Sequence, residues 1–142
     1  MMVHETAYVH PTATVHPRAR VGAYARVGAE SRVGARARIG DWARIGAGVR
    51  VGEDVTIAIG ARVSDCTHIG PGVHIGPRTR VGAGVTIAVK AQIDTGASVG
   101  DGACVGINAR IESWVRMGAL ATVISGACVK AGTNIDDGAY VW

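Results

Sequence analysis

The stretch RVGAYARVGAESRVGARARIGDWARIG, Arg20 to Gly46, returns an aliphatic residue followed by glycine every six residues, with alanine and arginine in between. The same beat extends in both directions. From Val3 to Val141 the 24 positions at six-residue steps are all aliphatic, and every one except Met117 is Val or Ile. Two residues ahead of them, from Ala7 to Ala139, all 23 positions hold Ala, Ser, Thr or Val. One residue behind, twelve are Gly. Six is not a helical period. It suits short strands that turn after each hexapeptide, with two inward-facing residues per strand and a glycine where the backbone bends.

The composition agrees with a thin core. The 142 residues include no Phe, one Leu (Leu120) and 21 Gly, yet 48% of the chain is hydrophobic through Ala, Val and Ile. Interiors are close-packed, so a chain without large apolar side chains needs a narrow interior that small and β-branched residues can fill. The length predicts a single domain, 1–142. No apolar run reaches the length of a membrane span, and no leader-like segment precedes the pattern. Cys66, Cys104 and Cys128 are an odd number and cannot all pair, which suggests free thiols in a reducing, cytoplasmic setting. The formal charge of +4 comes from 13 Arg and only 2 Lys against 11 acids, so anionic partners are admitted.

The motif aliphatic-Gly-x-x-small-x resembles the hexapeptide-repeat family, over essentially the entire chain. That resemblance implies an all-β fold, a left-handed parallel β-helix of triangular section. Three hexapeptides make one coil, giving about eight coils with no inserted loops. Residues 18 apart then stack at about 4.8 Å, and the prism is roughly 35–40 Å long. A solenoid's terminal coils expose unpaired backbone. The candidates to cover them are MMVHETAYVHP at one end and AYVW at the other, with Trp142 over the last coil. This is thin cover, and end-to-end stacking of copies is an expectation.

Side chains alternate along a strand, so the residue before each aliphatic points outward from a flat face. Stacking at 18 residues sorts these into three columns. Ten of the 13 arginines fall in them and none of the 11 acids does. One column holds Arg26, Arg44, Arg62 and Arg80 on successive rungs, a ladder of like charge in which neighbours repel by about 1 kcal/mol in water. These four are candidate anion-binding residues; the alternative is a solvated basic face. Tyr24 and Trp42, two residues before Arg26 and Arg44, are placed for cation–π contact. No aromatic-interleaved basic motif occurs along the chain, which argues against a nucleic-acid partner.

In the other two columns arginine gives way midway to Thr56-His74-Gln92 and to His68-Thr86-Cys104. The family resemblance implies a homotrimer with an acyltransferase site between neighbouring prisms, acyl-CoA as co-substrate and a small-molecule acceptor. A histidine serves there as general base, because its pKa lies near working pH. His74, with His68, is the candidate; His4, His10 and His16 fall at corners of the first coil. A packed subunit interface explains the same histidines and the same loss of arginine.

VRMGALATVISGACV (Val115 to Val129) also resembles the late coils of γ-class carbonic anhydrases. Those relatives bind zinc with one histidine and a later pair spaced H-x-x-x-x-H. Here no histidine follows His74, and Val89, Lys90 and Asp94 stand in that neighbourhood, so no metal site is expected. Cys66, His68 and Cys104 share a face, but Cys104 lies two rungs from His68, about 10 Å. The resemblance to the hexapeptide-repeat family implies an acyl-CoA-dependent O- or N-acyltransferase first. The alternatives are a non-catalytic structural or assembly solenoid and an anion-binding solenoid using the arginine ladder.

Overall fold

The computed structural model describes residues 2–142, and within them every hexapeptide contributes one strand of two residues. The 24 strands run from β1 (Met2–Val3) to β24 (Tyr140–Val141) at six-residue intervals. Every third strand stacks on the last, in parallel, forming three eight-stranded sheets. The first sheet begins at β1 and ends at β22 (Cys128–Val129). The second runs from β2 (Tyr8–Val9) to β23 (Asn134–Ile135), the third from β3 (Thr14–Val15) to β24. The register is 18 residues throughout, as in Met2 opposite Arg20 and Thr122 opposite Tyr140. This is a three-sided solenoid of eight coils, uninterrupted by any insertion.

Each coil puts two residues inside per strand, the aliphatic and the small residue two before it. From Ala19 to Ile135 these form one continuous core of Ala, Val and Ile with Met117. The three fully buried hydroxyls in the small-residue column are satisfied. Ser31 Oγ donates to the Gly46 carbonyl at 2.6 Å, Thr67 Oγ1 to Gly82 at 2.9 Å and Thr79 Oγ1 to Asp94 at 3.0 Å. Each hydroxyl binds the backbone of the next coil, so a polar side chain is placed where an unpaired one would be costly.

The corners differ from the sequence expectation in one respect. The glycines after the aliphatics are not where the chain takes up positive φ. That conformation falls two residues later, at the 20 positions spaced by six from Tyr24 to Gly138, eleven of which are not glycine. The earlier glycines are needed for a different reason. A Cβ on Gly28 would lie 2.6 Å from the Gly46 carbonyl carbon and 2.8 Å from the Ala47 nitrogen, inside the backbone of the next coil. At Gly28 the coils approach too closely for a Cβ, although Ala58, Ser64 and Asp94 carry one at the equivalent position of other coils.

Corner polar residues close the same stack. Asp41, Asp65, Asp101 and Asp137 each accept, at 2.9 Å, a backbone N–H from the preceding coil, donated by Ala23, Ala47, Ala83 and Ala119. In the first coil histidines take the turn-closing role. Nδ1 of His4, His10 and His16 accepts the N–H of Thr6, Thr12 and Arg18 at 3.2, 3.1 and 3.1 Å. Trp142 is 85% exposed and does not cover the last coil.

The two kinds of glycine separate in a stability measurement. Gly28→Ala is expected to cost about 3 kcal/mol, because its Cβ meets backbone that cannot swing away. Gly84 has φ of +65° and open space around it, so Gly84→Ala is expected to cost only about 1 kcal/mol, the left-handed conformation alone. Urea unfolding of both variants checks this; equal losses would contradict the assignment.

Candidate functional site

The arginine ladder is real in register. Arg26 pairs with Arg44, Arg44 with Arg62 and Arg62 with Arg80 on successive rungs of the second sheet. All four are exposed on the flat face, one residue before a buried aliphatic. Among the described residues none of them forms an ion pair. Three of the corner carboxylates bordering this sheet, those of Asp41, Asp65 and Asp101, bind backbone amides.

Arg26, Arg44 and Arg62 line a groove of about 590 Å³ together with Tyr8, Tyr24 and Trp42. Tyr24 and Trp42 stand on adjacent rungs of the corner leading into this sheet. Their rings stack on one another, with centroids 4.4 Å apart and planes 16° from parallel. The sequence suggested a ring over a guanidinium; the structure pairs ring with ring and leaves the arginines free to meet an anion. Arg80 lies outside this groove. It lines a second one on the same face, about 570 Å³, with Arg78, Trp114 and Arg116.

The histidines are placed differently. His68 is on β12 (His68–Ile69) of the third sheet, His74 on β13 (His74–Ile75) of the first. They flank the corner 70–72 on two different faces, so the structure does not bring them together. His74 sits between Thr56 and Gln92, and His68 between Arg50 and Thr86. Both side chains are exposed, and among the described residues neither imidazole makes a hydrogen bond. The corner stack above them carries exposed Val89 and Ile107.

Cys66, Cys104 and Cys128 are exposed free thiols. Cys104 stands two rungs from His68, and no group of three His, Cys, Asp or Glu able to hold a metal occurs among the described residues. No helix among them is long and apolar enough to cross a membrane.

Sequence reasoning missed the ion pairs at the corners. Arg36 is gripped by Asp54 in a bidentate pair, Nε to Oδ1 and Nη2 to Oδ2, both at 2.7 Å. That contact holds the Asp54 carboxyl below its ordinary pKa and raises that of Arg36. Glu112 is held low first by the N–H of Ala131, at 2.9 Å, then by Lys130. What either carboxylate adds to stability is present at neutral pH and is lost as pH falls through its lowered value. Both acids lie 18 or 19 residues from their partners, a spacing that reads as a contact only once three hexapeptides per coil is accepted.

No protein-family model matches the chain, and no curated protein sequence does. Solved structures do. A Bacillus cereus protein described as a candidate acetyltransferase is 18% identical and superimposes with TM-score 0.67, covering 96% of this chain and 78% of its own. The Francisella novicida UDP-N-acetylglucosamine acyltransferase is 15% identical at TM-score 0.56. This chain is covered over 99% and spans 62% of the Francisella enzyme. The likeness is one of fold: the chain has the hexapeptide-repeat β-helix architecture that these proteins carry.

The unneutralised ladder makes an electrostatic prediction. Arg44 has a like charge on each side, so Arg44→Gln is expected to raise stability at low salt by about 1 kcal/mol. That gain should fade in about 1 M salt, where the Debye length is near 3 Å. Thermal melts of both proteins across salt concentrations test it; a variant that is less stable at low salt would show that a carboxylate already compensates Arg44.

Proposed function

We propose that this chain is an acyl-CoA-dependent O- or N-acyltransferase working as a homotrimer, with His74 as general base and His68 beside the same prism edge. The observation that supports it is the position of His74. It is exposed at mid-prism, with the uncharged Thr56 and Gln92 on its neighbouring rungs, on a fold shared with acyltransferases. Among the described residues its imidazole is exposed and holds no hydrogen bond that would compete with an acceptor.

The chemistry asks little of the chain. The imidazole takes a proton from the acceptor's hydroxyl or amine as that atom attacks the thioester carbonyl. A C–O or C–N bond forms, the C–S bond breaks, and the imidazolium returns its proton to the departing CoA thiolate. The third sheet, without arginine, lysine or acid from His68 through Thr86, Cys104 and Thr122 to Tyr140, meets the His74 face at the edge bearing Val89 and Ile107. Charge is depleted in interface cores, which supports this edge as the subunit contact.

A second reading has its own observation. The groove lined by Arg26, Arg44 and Arg62 supports a solenoid that binds anions, with Arg80 extending the ladder.

Light scattering at low and moderate salt should give three times the 14.5 kDa chain mass. Thiol release from acetyl-CoA across a panel of amine and hydroxyl acceptors should then be lost in His74→Ala while the trimer persists. A monomer, or a ladder of end-to-end species, would remove the intersubunit site and leave a non-catalytic solenoid. Activity undiminished in His74→Ala would remove the base.

A further inference from the structure

The two grooves of the second sheet lie along one strip, and its composition is not that of a simple basic face. At the corner leading into this sheet, residues 18 apart run Tyr24, Trp42, Gly60, Arg78, Gly96 and Trp114. Beside them on the face run the ladder arginines, then Ser98 and Arg116. Of the three aromatic residues held at positive φ, all are on this corner: Tyr24 at 57°, Trp42 at 61° and Trp114 at 62°. Bulky residues resist that conformation. Of the 20 equivalent corner positions nine use glycine and eight carry non-aromatic side chains, so the conformation is open to side chains generally, but aromatic rings occupy it only along this one corner.

The rings are also presented. Trp42 is 58% exposed and Trp114 62% exposed. Trp42 gives one face to Tyr24; its other face adjoins the rung of Gly60, which has no side chain and lines the same groove. The nearest atom to a Cβ at Gly60 would be Arg78 Cγ, 3.7 Å away. The corner thus reads as a stack with one plate missing, between Trp42 and the Arg78 stem. At the second station the Trp114 ring lies over the bare Cα of Gly96, where any Cβ would overlap it.

We infer that this strip is a binding site for single-stranded nucleic acid, whose bases stack at Trp42 and Trp114 and whose phosphates follow the arginine ladder. The inference rests on the anion-binding reading above and names its ligand. Aromatic platforms beside a basic track are what sequence-tolerant single-strand binding uses. Trp42 and Trp114 are four rungs apart, about 19 Å, too far for one base and suited to a strand of about four nucleotides or more. A duplex keeps its base faces covered and offers the ladder only phosphates. Along the chain each ring stands two residues before a single arginine, and only the stacking of rungs gathers these pairs into one strip, which is why the linear sequence argued the other way.

Fluorescence anisotropy of a labelled single-stranded oligothymidylate of about ten nucleotides tests this with the full chain. Inorganic polyphosphate, the same oligomer in duplex form and thymidine triphosphate serve as competitors. Affinity should fall with salt at a log–log slope of about −0.7 per phosphate engaged, near −3 for four arginines. Trp42→Ala and Trp114→Ala should each weaken the single strand by at least about fivefold, leave polyphosphate competition unchanged and keep the wild-type circular dichroism. Trp42→Phe, which keeps a ring, should retain most of the affinity. If the tryptophan variants bind the oligomer as the wild type does, or the triphosphate or the duplex competes as well as the single strand, the inference is wrong and the anion-binding reading stands. If neither oligomer nor polyphosphate binds, both are wrong.

Discussion

Everything in this molecule depends on the backbone ladder between coils. Arg26 N–H meets the Ala43 carbonyl at 2.9 Å, Arg44 meets Ala61 at 2.9 Å, and Arg62 meets Thr79 at 2.8 Å. Even the corners join in, with Trp42 N–H donating to the Ala23 carbonyl at 2.9 Å. Each strand is only two residues long and could not exist alone. Pairing above and below in fixed register converts these fragments into sheets, and a one-residue slip would turn every aliphatic outward. The hexapeptide beat is the sequence form of that constraint.

The same constraint imposes columns on the outside. Whatever occupies a given corner or face position meets its counterpart 18 residues on, one rung away. A repeat that places arginine at one position therefore builds a like-charge ladder unless something intervenes. In the first and third columns Thr, His and Gln intervene after two rungs; in the second they do not, until Ser98. The acids do not pair with it: Asp41, Asp65 and Asp101 sit at the corners, each accepting a backbone amide, and none reaches a ladder arginine.

The fold was legible in the sequence because a six-residue period with two inward positions admits one kind of structure. The part misread was the glycine. Glycine after each aliphatic suggested a bend, but the left-handed residue is two positions later, where Tyr24, Arg36 and Leu120 also serve. The close approach of one coil to the next, seen at Gly28 against Gly46, accounts for glycine at that site, while Ala58 and Asp94 show that the position also takes side chains. The candidate site was half legible. Stacking at 18 residues gave the ladder and its rungs correctly, yet it could not say that Tyr24 and Trp42 would stack on each other, nor that Arg36 would seize Asp54. Those outcomes turn on side-chain direction at the corners, which periodicity does not carry.

A solenoid of this regularity separates fold from function more completely than a globule does. The inward columns, with the close-packed glycines and the amide-binding corner aspartates, hold the architecture, and the outward face columns can change without disturbing it. That is why a shared fold with acyltransferases leaves the chemistry of this chain to be argued from its own outward residues. It is also why local conflict becomes informative here. A regular repeat offers the same backbone position many times, so a residue that suits it poorly can be compared directly with those that suit it well. Tryptophan at 61° and 62° is such a departure: of the 20 equivalent positions nine hold glycine and eight hold non-aromatic side chains. Natural sequences depart from local preference mainly where a site requires it. On this prism the aromatic departures gather at a single corner, the one that borders the unneutralised arginines.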